Sequence, residues 1–152
     1  MISLELASLE DTQSLAKRLA HSLRAGDTVL LSGELGAGKT TLAQYLIIAL
    51  SEGMVEVTSP TFTLVQDYPV HLADGSACML HHYDLYRIEN PSALAELGLD
   101  EAEEGIRLIE WPQRLPTNFN PASWVSVHFT LTEGMRIASL RSGGSLSTRI
   151  DL

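Results

Sequence analysis

The sequence predicts an α/β fold: a central mixed β-sheet flanked by helices, with antiparallel additions. Three observations predict it. The apolar run Val29-Leu30-Leu31 reads as a buried strand, and Thr41 to Leu50 reads as a helix. Between them lies Gly33-Glu34-Leu35-Gly36-Ala37-Gly38-Lys39-Thr40, which matches G-x-x-x-x-G-K-[ST] at every fixed position. Farther along, apolar runs are separated mostly by turn signals, which adds antiparallel strands and few helices. A strand, a glycine-rich loop and a helix in that order form a P-loop, and the fold expected around it is P-loop NTPase-like. The glycines let successive backbone N–H groups point inward at phosphate oxygens, and the helix N-terminus adds its positive end. Lys39 would reach the β- and γ-phosphates, and the Thr40 hydroxyl would bind Mg²⁺.

The remaining elements follow in order. Residues 2–6 alternate like a short half-buried strand. Asp11 or Thr12 reads as the cap of a helix that carries Leu15, Leu19 and Leu23 at helical spacing. Gly26 ends that helix, and Asp27 begins the turn into the P-loop strand. The P-loop helix presents Leu42, Leu46 and Leu50 and ends near Gly53. A short strand after it, the loop Thr58-Ser59-Pro60-Thr61-Phe62-Thr63, and a strand over 64–68 come next. Asp74-Gly75 reads as a hairpin turn into a strand through Cys78 toward His82. Pro91 to Glu104 is helical in character, and Ile106 to Ile109 is a strand stopped by Pro112. Residues 112–122 hold three prolines and read as a loop. Trp124 to Leu131 alternates as a strand, Glu133-Gly134 turns, and Met135 to Leu140 returns; Arg141 to Leu152 holds at most a last strand.

Composition sets bounds on function. The 152 residues are expected to form one P-loop ATPase domain over 1–152, and 45% apolar residues suffice for one core. No apolar run is long enough to span a bilayer, and Met1 to Thr12 lacks the basic-then-apolar pattern of a secretory signal. A cytoplasmic protein without a membrane association is expected. The one cysteine, Cys78, excludes an intramolecular disulfide and a multi-cysteine metal site. The formal net charge is −9, and the ten Lys and Arg form no cluster, so strong autonomous binding to nucleic acid is not expected. The acidic run Asp100-Glu101-Ala102-Glu103-Glu104 reads as a solvated helix face or as a surface for a basic partner.

Hydrolysis needs a carboxylate to support Mg²⁺ and a group that positions water. Asp84 and Glu110 each end a strand expected in the sheet, and either could be the Walker-B type acid. Thr61 sits where switch loops place a threonine that senses γ-phosphate. His81 and His82 are neighbours in a strand and point to opposite faces, which favours structural or orienting roles over a shared metal. Arg87 is either a phosphate contact or a surface arginine. An Asn/Thr-Lys-x-Asp loop for guanine is absent, and Asp84-Leu85-Tyr86-Arg87 lacks the glycine of Asp-x-x-Gly, so ATP is expected over GTP.

Four segments, GELGAGKTT, SPTFTLVQDY, HHYDLYR and IEWPQRLP, occur in this order. In these the chain resembles the TsaE (YjeE) family of bacterial P-loop ATPases of the tRNA threonylcarbamoyladenosine (t6A) pathway. The resemblance runs over nearly the whole chain and leaves out about the last dozen residues. It implies ATP and Mg²⁺ as cofactors and slow hydrolysis by the isolated protein. It implies TsaD and TsaB as partners, which form N6-threonylcarbamoyladenosine at adenosine 37 of tRNAs reading codons that begin with A. Contact with tRNA is then indirect, and the chain itself is not the transferase. By the same resemblance Gly36, Ala37, Gly38, Lys39, Thr40 and Thr41 match the nucleotide loop, and Thr40 and Glu110 match Mg²⁺ ligands. Asp84 matches the acid that aids hydrolysis or holds the metal, and Thr61 matches the switch-like threonine. Thr12 and Trp111 match positions near the base, and Tyr83 stands where Phe is common.

Two other readings compete. A small-molecule kinase would need an arginine-bearing lid, and the loop 112–122 offers only Arg114. A nucleotide-dependent binding module would bind without appreciable turnover.

Overall fold

The structure is a computed structural model, and it describes residues 1–52, 57, 65–88, 98–99 and 101–150. Seven strands form one mixed sheet in the order β1-β7-β6-β2-β5-β4-β3. The strands are β1 (Ile2–Glu5), β2 (Thr28–Gly33), β3 (Val65–His71), β4 (Ala77–Asp84), β5 (Ile106–Glu110), β6 (Trp124–Thr132) and β7 (Met135–Gly143). The helices are α1 (Leu9–Ser22) and α2 (Lys39–Leu50). At the centre β2 pairs parallel with both β5 and β6, and β5 pairs parallel with β4. The hairpins β3–β4 and β6–β7, and β1 on β7, supply the antiparallel additions expected from the turn signals.

Alternation along the central strands divides the side chains between two layers. Val29 and Leu31 of β2, Leu80 of β4, and Ile106 and Leu108 of β5 join the larger core. Leu42, Ala43, Leu46, Ile47 and Leu50 of α2 and Leu15, Ala16, Leu19 and Ala20 of α1 complete it. The intervening Tyr83 and Ile109 face the other way, into a smaller cluster with Leu85, Ile88, Leu99 and Ala102. Both faces of the parallel strands are thus covered, and this accounts for the unbroken burial of β5. Truncating a fully buried side chain such as Leu46 to alanine should cost about 2–5 kcal/mol.

Several local expectations need correcting. The cap of α1 is Ser8, not Asp11 or Thr12. Ser8 Oγ accepts from the Asp11 N–H, and Asp11 Oδ2 accepts from the Ser8 and Ala7 N–H groups, a reciprocal capping box. Thr12 is therefore inside the helix. The helix ends at Ser22, and Gly26 lies in the turn beyond it at φ 96°. The helix α2 starts at Lys39 and ends at Leu50, short of Gly53. Residues 101–104 form a 3₁₀ turn, and the rest of the helix expected from Pro91 lies largely outside the described residues. Arg141–Gly143 complete β7, and no separate last strand follows over residues 144–150. The sheet edge beside β7 is already occupied by β1, and residues Gly144–Thr148 form a 3₁₀ turn instead. Ser123 Oγ accepts from the Leu146 N–H at 2.9 Å, and the Leu146 side chain is fully buried.

Candidate active site at the P-loop

The loop between β2 and α2 adopts the backbone that its glycines permit. Gly33 and Gly38 have φ of 135° and 118°. A Cβ on Gly33 would stand 2.6 Å from Phe129 O of the neighbouring β6, and one on Gly38 would stand 3.2 Å from Arg136 Cδ. At Gly33 both strain and backbone contact exclude a larger residue; at Gly38 the backbone strain disfavours one, and the Arg136 side chain would have to shift. Gly38 is the residue before the first turn of α2, so the loop delivers the helix N-terminus to its own concave side.

Lys39 is 4% exposed, and its ammonium donates to Gly33 O at 2.6 Å and Glu34 O at 2.7 Å. It also lies 4.4 Å from the centroid of the Trp111 ring, a cation–π contact. Burial pushes the Lys39 pKa down, and the nearby carboxylates of Glu110 and Asp84 oppose that.

Asp84 and Glu110 end the parallel strands β4 and β5 and stand opposite each other in register. Each lies two residues beyond a side chain that faces α2, His82 and Leu108 respectively, so both carboxylates face α2 and the P-loop. Glu110 is 1% exposed. Its Oε1 accepts from the Thr40 hydroxyl at 3.0 Å, and its Oε2 pairs with His82 Nε2 at 2.7 Å. Asp84 Oδ1 accepts from the Tyr86 N–H at 3.1 Å. Burial raises the Asp84 pKa; the Tyr86 hydrogen bond opposes it, the Glu110 charge adds to it, and His82 and Lys39 oppose it.

A cavity of about 180 Å³ brings these groups together. Its lining holds Gly36, Gly38, Lys39, Thr40 and Thr41 of the loop, the acids Asp84 and Glu110, and Leu35, Tyr86, Trp111 and Arg136. Eight of the residues singled out from the sequence therefore meet here. Ala37 does not line it; its side chain is buried in the core and anchors the loop. Thr12 is 1% exposed inside α1 and is not in the lining. Arg87 is exposed and also outside it. Thr61 lies outside the described residues.

Trp111 holds a left-handed backbone at φ 63°, fixed by its N–H donating to Leu31 O. Such a conformation costs a non-glycine residue about 1–3 kcal/mol and is concentrated at functional sites. It puts the indole over Lys39 and 4.8 Å from the Tyr86 ring.

Arg136 carries no motif, and sequence reasoning missed it. It follows the tight β6–β7 turn, where Glu133 and Gly134 are both left-handed, and its side chain lies against Gly38. Its Nε is buried without a hydrogen-bond partner among the described residues, which leaves a donor at the cavity. The one legible hint was a lone arginine beside the Glu133-Gly134 turn.

Beside the cavity, and sharing Leu35, Tyr86 and Trp111 with it, is an open apolar basin of about 650 Å³. Ser32 and His128 are on its wall, joined Oγ to Nδ1 at 2.8 Å.

The oxygen donors suit Mg²⁺. This ion takes one or two carboxylates with phosphate oxygens rather than an all-protein cage. Among the described residues no three His, Cys, Asp or Glu side chains converge as a cage. His81 pairs with Asp67 at 2.7 Å while His82 turns to Glu110, so the two histidines do diverge. No helix of the described residues is long and apolar enough to cross a membrane.

Comparisons with known proteins point to one family. A family model described as "Threonylcarbamoyl adenosine biosynthesis protein TsaE" matches residues 6–138. The chain is 39% identical over 144 residues to a tRNA threonylcarbamoyladenosine biosynthesis protein TsaE of Rickettsia felis, covering 93% of this chain and 81% of the relative. It is 40% identical over 148 residues to the protein of the same name from Nostoc, covering 92% and 85%. A crystal structure of Bacillus subtilis YdiB superposes with a TM-score of 0.69 at 25% identity, covering 98% of this chain and 93% of that one.

Proposed function

The chain belongs to the TsaE family of threonylcarbamoyl adenosine biosynthesis proteins, and from that premise we propose that it is a Mg²⁺-dependent ATPase that supports t6A formation on tRNA by the TsaB–TsaD complex in the cytoplasm. The observation that carries the ATPase part is the in-register pair Asp84 and Glu110 beside the P-loop, with Thr40 bonded to Glu110.

The residues divide the work. Backbone N–H groups of the loop and the first turn of α2 receive the phosphates. The Lys39 ammonium neutralises the β- and γ-phosphate oxygens, and the Trp111 ring limits its directions. Arg136 brings a second cation to the nucleotide from the β6–β7 hairpin. Thr40 and Glu110, with Asp84 at hand, would hold Mg²⁺, which when bound draws charge from the phosphate oxygens. Asp84 is the acid placed to orient the attacking water, its Oδ1 tied to Tyr86. Thr61 is assigned the γ-phosphate-sensing role by the family likeness alone.

The acidic balance suits a protein that reaches tRNA through partners. The deciding experiment is multiple-turnover t6A formation by TsaB and TsaD with and without this protein. Turnover that needs the protein and ATP supports the proposal; unchanged turnover without it removes the partner role. A metabolite kinase is the second reading, favoured by the apolar basin beside the P-loop. Arg114, its only candidate lid arginine, donates instead to Ile88 O. Recovery of the whole γ-phosphoryl group of ATP as free phosphate, beside ADP, would dispose of that reading.

A further inference from the structure

We propose that His82 is a positioning residue for cation binding: its Nε2–H holds Glu110 Oε2, which keeps Glu110 Oε1 aimed at the Thr40 hydroxyl. The inference rests on the proposed Mg²⁺–nucleotide site and names a residue that acts on it from beneath.

His82 is fully buried in β4, between Gln66 of β3 and Leu108 of β5. Its ring does not line the cavity, so it touches no ligand there. Among the described residues the ring makes one hydrogen bond, 2.7 Å long, to a carboxylate that is itself 1% exposed. A carboxylate only accepts, so Nε2 carries the hydrogen. Nδ1 is buried without a partner among the described residues.

A leucine or methionine would fill this interior position without burying polar atoms. What the imidazole adds is a fixed donor. With it, both oxygens of Glu110 are directed: Oε2 by His82 and Oε1 by Thr40. Thr40 is the second residue of α2 and Glu110 the last of β5, so this three-member chain also ties the P-loop helix to the sheet. Outer partners of metal-binding carboxylates set ligand orientation, and their loss typically weakens metal affinity about 10–100-fold.

The test is Mg²⁺ titration of ADP binding by calorimetry, on the full chain, for wild type, His82→Met and His82→Gln. Methionine keeps the bulk and removes the donor, whereas the glutamine amide N–H can reach the same carboxylate oxygen. His82→Met should weaken Mg²⁺ by about 10–100-fold while ADP affinity without metal stays within about twofold, and His82→Gln should recover most of the loss. An unchanged Mg²⁺ midpoint in His82→Met overturns the inference, as does an equal loss of ADP affinity with and without metal. Should His82→Met not fold, His82→Gln against His82→Asn decides, because the shorter amide cannot span the gap; equal midpoints overturn it. Wild-type ADP binding that ignores Mg²⁺ would instead sink the proposed function itself.

Discussion

The Thr40 hydroxyl donates to Glu110 Oε1 at 3.0 Å, joining two residues separated by 70 positions in the chain. One residue is the second of α2 and the other is the last of β5. This bond marks where the P-loop and the acidic strand ends become one site.

If the pair acts as a unit on Mg²⁺, removing either member should do most of the damage. Thr40→Val and Glu110→Gln should each weaken the Mg²⁺ dependence of ATP turnover by about 10–100-fold. The double variant should lose little more than the worse single one. Full additivity in a double-mutant cycle would separate the two roles.

Asp84 should trade stability for activity. Burial raises its pKa in the folded chain. Between the unfolded and the raised folded value, the native state binds more protons, so stability falls as pH rises through that window. Asp84→Asn should therefore raise the melting temperature at neutral pH without Mg²⁺ and flatten this slope. ATP turnover should fall by on the order of 100-fold. A lower melting temperature would contradict the assigned desolvation.

Gly38 and Arg136 test the nucleotide cradle from opposite sides. Gly38→Ala forces a side chain into φ 118° against Arg136 and should cost about 1–3 kcal/mol of stability along with nucleotide binding. Arg136→Gln should reduce ADP affinity by about 10-fold or more, the scale of one hydrogen bond to a charged group, with little change in melting temperature. Unaltered ADP affinity in Arg136→Gln would remove it from the site.

Asp27 should matter to the fold alone. It is 2% exposed, bonds both terminal nitrogens of Arg149 at 3.0 Å, and accepts from the Arg24 N–H at 2.7 Å. Asp27→Asn should cost about 1–3 kcal/mol. The melting temperature should drop by roughly 2–4 °C per kcal/mol. ATP turnover measured well below the melting temperature should be preserved, and its loss would place Asp27 in the functional machinery.

Much of this architecture was legible because its signals are local. The P-loop, the Asp74-Gly75 and Glu133-Gly134 turns, and the strands ending in Asp84 and Glu110 each lie within a few residues of sequence. The cap of α1 was misplaced because Ser8 and Asp11 cap each other, and either one alone resembles a cap. The C-terminal 3₁₀ turn was not legible, since it depends on β1 having taken the sheet edge from the other end of the chain. Arg136 was missed for the same reason: nothing near it in sequence shows that the hairpin sets it against Gly38. The His82 orientation was half visible. Strand alternation separates it from His81, but only the β4–β5 register brings it to Glu110.

The central strand β2 also constrains how the protein is made. Both of its neighbours come from far downstream, with Thr28 opposite Arg107 on one side and Trp124 on the other. Parallel pairings of such separation are slow to close, because the intervening chain must be ordered first. While the ribosome has released only the first half of the chain, the P-loop sequence is present, yet neither Glu110 nor Arg136 exists to face it. A nascent or truncated chain is therefore unable to assemble this site, and a ligand that needs the whole cradle can select only molecules whose synthesis has passed the β6–β7 hairpin.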